Sequence, residues 1–354
     1  MMKKKFFLTY CLSFVMGAVL ATPGLPGTVT IQKTSFEGWE HCYRISNGEV
    51  ELVAVADVGP RILKFGFTDR FNLLSVSKST TGQTGGGSWR GYGGHRLWVA
   101  PETAEVTYYP DNFECDVQIE NGALTLTAPI EVLDADLRAS LSFTEIQQKA
   151  NDPEFRQQLR FRKQMEIRMD ENGETTIWHR ILNGGLQTYQ MAPWALTVMN
   201  PGGIGIVPNP PYASHGPGHW LPVRSIITWS YTNMADPRLL FMKNYITIRQ
   251  DPSIRAPFKI GFSTTQGWTA YALKDQLFVK KLDYFQDQTY PDKGCSVEIF
   301  TSSGMMEIES LGPLTTLKPG DVAAHRERWK LFRIAPIDAN EESIEAMLKS
   351  VGKE

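Results

Sequence analysis

The 354-residue chain lacks most of the signatures that would name a function at once. No nucleophile elbow, Walker loop, dinucleotide fingerprint or zinc-protease helix motif is present. Gly85-Gly86-Gly87 precedes no helical pattern, which makes it a poor phosphate loop. The four cysteines have no metal-site spacing. His215 and His219 are four apart, but Gly216, Pro217 and Gly218 between them rule out a helical ligand pair. The expectation is therefore no metal and no cofactor. Charge is sparse, at 21% of residues and a net −2, so there is no basic excess for nucleic acid or an anionic membrane surface. No internal repeat, low-complexity segment or convincing linker divides the chain. After residue 20, no apolar run is long enough to span a bilayer.

The N-terminus does carry a signal. Lys3, Lys4 and Lys5 precede an apolar run over residues 6–20, and Val19-Leu20-Ala21 offers small residues for cleavage. This predicts a secretory signal peptide over residues 1–21 and a periplasmic or secreted protein. A membrane anchor is the competing reading, but the run is short and has no stop-transfer flank. Removing the three lysines takes the formal charge to −5. Cys42, Cys115 and Cys295 remain, either as buried free thiols or with one bridge among them.

Short alternating segments dominate the remainder, punctuated by Asn47-Gly48, Asn121-Gly122, Asn172-Gly173 and Asn183-Gly184. Over residues 159–169, Leu159, Phe161, Met165, Ile167 and Met169 share one face, with Lys163 interrupting it. Helix patterns are confined to residues 145–158 and 343–351. Asp338 is the expected cap of the second, with Glu341 as its capping-box partner. The pattern predicts an all-β protein of stacked, mostly antiparallel sheets, in one domain over residues 22–354.

Two stretches carry the chemistry. In residues 305–310, Glu307 and Glu309 alternate with Met306 and Ile308 and share a strand face. In GYGGHRLWVAPE, residues 91–102, His95, Arg96 and Trp98 follow a glycine pair that would let a ligand approach the backbone. His suits proton transfer near neutral pH, and Trp98 offers a stacking surface for a sugar ring. Arg61 enters a strand after Gly59-Pro60 and is a candidate hydroxyl clamp, or else an ordinary ion-pair partner of Asp57. His179 sits in a strand pattern. The Pro- and Gly-rich loop over residues 201–222 carries Tyr212, His219 and Trp220 as candidate ligand contacts.

These segments resemble the galactose-mutarotase-like (aldose 1-epimerase-like) superfamily, and are nearest to a family of exported bacterial proteins within it. The matching pieces, in order, are GPRILKFGF with FNLL, GGHRLWVAPE with YYPDN, ILNGG with MAPWALTVMNPGG, and MEIESLGPLTTLKPGD with HRERW. The resemblance implies a β-supersandwich whose concave sheet holds a sugar. It implies that Glu309, with Glu307 as alternate, takes the anomeric proton, that His95 or His179 is the acid, and that Arg61 and Arg96 clamp hydroxyls. Aldose epimerases typically carry a histidine before an aromatic pair in mid-domain; here Met191-Ala192-Pro193-Trp194 stands at that place. The expected function is a carbohydrate-binding protein, with a monosaccharide or glycan as partner, and epimerase chemistry by metal-free proton transfer if the cleft is catalytic. The rivals are a non-catalytic glycan-binding module and a polysaccharide lyase or hydrolase using Tyr108, Tyr109 or Tyr212 with His95.

Overall fold

The computed structural model describes residues 27–352. The leader and its cleavage site lie outside the described residues. Two large antiparallel sheets stack face to face. The first runs, in spatial order, Thr30–Phe36, Trp39–Ser46, Val50–Val55, Arg61–Phe67, His95–Ala100, Tyr189–Met199, Met306–Leu311, Val297–Thr301, Phe258–Phe262 and Ile226–Thr228. The short strand Thr315–Leu317 also pairs with the start of Tyr189–Met199. The second sheet runs Leu239–Phe241, Tyr245–Arg249, Ile204–Pro208, Trp268–Leu273, Gln276–Leu282, Val322–Arg333, Thr175–Asn183, Phe161–Met169, Ala123–Thr127 and Asp116–Glu120. This is the stacked all-β architecture that the alternation predicts.

Alternation decides which side chains fill the space between the sheets. Phe161–Met169 and Thr175–Asn183 each bury every second residue. Lys163, the interruption in the first, is buried with its ammonium 3.2 Å from the Glu131 carboxylate. The main core draws Ile62, Met199, Phe258, Ile260, Ile299 and Ile308 from the first sheet against Met165, Ile177, Phe278 and Trp329 from the second. The C-terminal helix Glu341–Ser350 covers the outer face of the second sheet with Ile344, Met347 and Leu348. Its cap is Asn340, whose side chain accepts from Ser343 N at 2.9 Å, and not Asp338. The Glu341 carboxylate instead accepts from the backbone of Lys243 and Asn244. The single helix expected near residues 145–158 is three short ones, Ala135–Ser140, Phe143–Lys149 and Pro153–Arg156.

Cys42, Cys115 and Cys295 are buried free thiols. Among the described residues, no helix is long and apolar enough to cross a membrane.

Trp329 anchors the core. It is fully buried, 5.1 Å from Phe65 and 5.2 Å from Phe278 between ring centroids, and its indole N–H donates to Glu327 at 2.7 Å. Trp329→Ala should lower the unfolding free energy by about 3–5 kcal/mol in a denaturant titration. A loss under ~1 kcal/mol would contradict this packing.

Candidate functional site: the outer face of the first sheet

Register places the candidate residues on two opposite faces. Trp98 pairs with Trp194 across adjacent strands, and Leu196 pairs with both Arg96 and Glu309. Directly paired residues share a face, so Arg96, Trp98, Trp194, Glu307 and Glu309 all project outward from the first sheet. Arg61 pairs with Arg96 and belongs to the same face. His95 lies one residue before Arg96 and therefore projects inward, toward the second sheet.

The inward histidines form a closed network. His95 Nε2 is 2.7 Å from His179 Nε2, and each ring is fully buried. His95 Nδ1 is 2.9 Å from Thr197 Oγ1, and His179 Nδ1 is 3.2 Å from the His325 carbonyl. A carbonyl only accepts, so His179 Nδ1 carries the proton. His95 then donates through Nε2, and Thr197 donates to His95 Nδ1. His325 Nε2 lies 2.6 Å from Ser310 Oγ, and Ser310 donates to Glu327. Glu327 also accepts from Lys280 at 2.9 Å and from Trp329.

His95, His179 and Glu327 offer ligand atoms within 4.8 Å of one another, a spacing that could hold a metal ion. Their donors and acceptors are already matched to protein partners, and the Lys280 ammonium would repel a second cation beside Glu327. The network is complete as a hydrogen-bonded cluster. The acid role expected of His95 or His179 beside Glu309 does not fit this placement: the sheet itself lies between them. The glycine pair before His95 also serves the fold. A Cβ at Gly93 would sit 2.2 Å from the Ser75 carbonyl oxygen, and one at Gly94 2.2 Å from that of Ile62.

The outward face is ionic and aromatic. Arg96 donates to Glu307 at 2.9 Å, with its guanidinium 4.2 Å from the Trp98 ring centre. Trp98 packs edge-on against Trp194 at 5.4 Å, Trp89 at 5.5 Å and Tyr108 at 5.0 Å. Glu309, fully buried, accepts from the Trp194 indole at 2.8 Å and from Lys259 at 3.2 Å. Lys259 also pairs with Glu298 at 2.7 Å and lies 4.5 Å from the Trp194 ring and 4.7 Å from that of Trp229.

One lysine thus stands between two buried carboxylates. Burial raises both, Glu298 well above the usual carboxylate range, and Lys259 opposes the rise in each. Several buried polar atoms on this face have no protein partner: Glu309 Oε1, Arg96 Nε, Trp98 Nε1 and Trp89 Nε1.

Arg61 is fully buried, donates to the Gly93 carbonyl at 3.0 Å and is paired with Asp111 rather than Asp57. It stands beside Arg96 on the same face with no exposed surface, so its guanidinium serves Asp111 and Gly93 rather than the open hydroxyl clamp expected of it. Trp220 is 67% exposed and His219 is exposed on their loop; Tyr212 lies 4.8 Å under Lys243. Tyr109 packs under Arg138 and bonds the Val132 carbonyl.

Sequence reasoning missed Lys259, Glu298 and Trp89. For Lys259 a signal exists: in Phe258–Phe262 it alternates with apolar residues that face the core, so it must face outward beside Glu298.

The histidine network has a pH signature. Burial, the largest cause, lowers His95 well below 6.5, His179 to about 4 and His325 to about 3. A histidine depressed in the folded state binds fewer protons than in the unfolded chain. Its contribution to stability is present above about pH 6.5 and lost as pH falls toward about 4. Glu298 and Glu309, raised on folding, contribute with the opposite sign. The difference in unfolding free energy between wild type and His179→Asn should therefore shrink across that window in pH-dependent denaturation. A difference independent of pH would contradict the neutral, buried His179.

Comparison with known proteins finds no matching family model and no matching curated protein. Solved structures do match. A galactose mutarotase-like protein from Lactobacillus casei is 10% identical with a TM-score of 0.51, over 82% of this chain and 100% of its own. A candidate mutarotase from Salmonella typhimurium is 8% identical with a TM-score of 0.52, over 88% and 96%. A candidate aldose 1-epimerase from Klebsiella pneumoniae is 9% identical with a TM-score of 0.50, over 92% and 86%. At such identities the likeness speaks for the architecture and leaves activity to the site. The chain has the galactose mutarotase-like fold.

Proposed function

We propose that this protein binds a carbohydrate on the outer face of its first sheet. The observation that carries the reading is the combination of aromatic rings and unpartnered polar atoms gathered there. Trp89, Trp98 and Tyr108 offer faces and edges for the apolar side of a pyranose ring. Arg96 Nε, Trp98 Nε1 and Trp89 Nε1 are donors without protein acceptors, and Glu309 Oε1 is an acceptor without a donor. Sugar hydroxyls both donate and accept, so they suit such a mixed set. Arg96 with Glu307 forms the hydroxyl clamp. The galactose mutarotase-like fold supports the same reading.

Glu309 favours a second reading, proton-transfer catalysis on the bound sugar. It is buried, raised by that burial, and keeps one oxygen unpartnered beside the aromatic wall. In this reading the protein is an aldose-epimerase-type isomerase. Export remains part of the proposal, on the strength of Lys3–Lys5 and the apolar residues 6–20. An N-terminal sequence of protein recovered outside the cytoplasm, beginning near Thr22, is its test.

Trp98→Ala should weaken sugar binding by roughly tenfold or more, equivalent to ~1.4 kcal/mol, in a titration over a panel of aldoses and oligosaccharides. Unchanged affinity would remove the aromatic face from the site. Anomer exchange followed by NMR separates the two readings. Acceleration by wild type that disappears in Glu309→Gln supports catalysis. Saturable binding without acceleration leaves the binding module.

A further inference from the structure

Lys163 is a cation on the inward, otherwise apolar face of Phe161–Met169, and it takes no part in the sugar site. It lies in the wall of a separate cavity. The short helices over residues 135–156 close against the strand edge there, with Leu137, Leu141 and Ile146 packed among Ile130, Val132 and Leu159. Gly59 and the segment over residues 109–113 complete the lining. The cavity is partly open to solvent. Water centres can occupy about 70 Å³ of it, room for roughly five molecules. None of its lining residues belongs to the aromatic and ionic set around Glu309.

Phe113, Ile130, Leu141 and Ile146 make the cavity largely apolar, and Lys163, Glu131, Arg138 and Asp111 interrupt that lining. Their charges do not cancel. Asp111 is paired with Arg61, although its Oδ1 has no hydrogen-bond partner. Glu131 accepts from Arg160 Nε at 2.7 Å, and its other oxygen, Oε1, lies 3.2 Å from Lys163 Nζ. One carboxylate thus serves two cations. The second contact is an ion pair without hydrogen-bond geometry, since Glu131 Oε1 has no hydrogen-bond partner. Lys163 is 5% exposed and carries three N–H donors, and among the described residues this is its one carboxylate. Arg138 has no carboxylate partner among the described residues; it lies 5.1 Å over the Tyr109 ring and donates to the Gly87 carbonyl at 3.3 Å. With Arg61 and Arg160 behind the two carboxylates, four cations meet two anions.

The pair of Arg160 with Glu131 is complete without a lysine. A buried ammonium with unmatched donors is costly unless something meets it. The backbone fixes the arrangement: Ala128 N donates to the Lys163 carbonyl at 2.9 Å, and Glu131 N to that of Phe161 at 2.8 Å. Cation and carboxylate therefore sit on bonded neighbouring segments. An apolar pocket with a few fixed polar groups is the usual form of a small-molecule site.

We propose that this cavity binds a small monocarboxylate with an apolar body, about the size of benzoate. The carboxylate meets the positive excess at Lys163 and Arg138, and the hydrocarbon part fills the space among Phe113, Ile130, Leu141 and Ile146. Charge sets the class. An uncharged compound of the same shape would fill the apolar part and leave the ammonium unmet, and a cation would be repelled by it.

The experiment is calorimetric titration of the purified protein with benzoate and with benzamide, its uncharged counterpart, while the methyl signals of Ile130 and Ile146 are followed by NMR. Benzoate should bind saturably, about tenfold or more tighter than benzamide, and shift both methyl signals. Lys163→Met leaves Glu131 bonded to Arg160, and it should lose about tenfold or more in benzoate affinity with benzamide affinity unchanged. Equal affinity of wild type for the two compounds, or no saturable binding of benzoate, overturns the proposal whether or not the variant folds. Benzoate binding that moves neither methyl signal, or that survives in folded Lys163→Met, also overturns it. Sugar binding on the outer face enters none of these outcomes.

Discussion

The ion pair between Lys280 and Glu327, sealed between the two sheets, is the constraint on which the rest of the structure depends. Both residues have no exposure, and their charges lie 2.9 Å apart. Desolvation makes such a pair costly to bury and far costlier to break, because removing one partner strands the other. Burial alone would raise Glu327, yet Lys280 and the surrounding histidines bring it below the usual carboxylate range. Ser310, Trp329, His325, His179, His95 and Thr197 complete its surroundings. They come from three strands of the first sheet and two of the second. A slip of one residue in any of these strands would turn its member of the network outward.

That same alternation builds the candidate site. With His95 and Ser310 committed inward, their neighbours Arg96 and Glu309 must project outward. The first sheet is thus polar on both sides of its central strands, and the two sides solve the problem of buried charge differently. Inside, the cluster around Glu327 is matched by bonds among Lys280, Ser310, Trp329, His179, His95 and Thr197. Outside, Lys259 serves two carboxylates, and several polar atoms remain unmatched. A saturated cluster suits a structural role; an unsaturated one, walled by aromatic rings, suits a ligand.

Much of the fold was legible in the sequence because its cause is local. The alternation in residues 159–169 announces a half-buried strand, and the Asn-Gly pairs announce turns. Facing was legible only in part. Glu307 and Glu309 were rightly set opposite Met306 and Ile308, since the core claims the apolar pair. His95 could not be placed in this way: a histidine fits a cleft or a buried network equally well, and partners 84 and 102 residues away, His179 and Thr197, decide between them. Arg61 shows the same limit. Its partner Asp111 lies 50 residues on, while the nearer Asp57 instead accepts from the His41 backbone. Helix capping failed for a smaller reason: Asn340 was the better-placed cap, and Glu341 was drawn to a neighbouring loop.

The central claim is a division of labour between the faces of one sheet, and the indole N–H groups report it directly. Trp89 and Trp98 have unpartnered indoles on the outer face; Trp329 is bonded to Glu327 on the inner one. Indole signals assigned by Trp→Phe replacement can be followed through a titration with sugars. The account predicts that Trp89 and Trp98 shift in a saturable manner while Trp329 stays in place. Saturable shifts at Trp329, or at Trp220 with Trp89 and Trp98 unmoved, would contradict it.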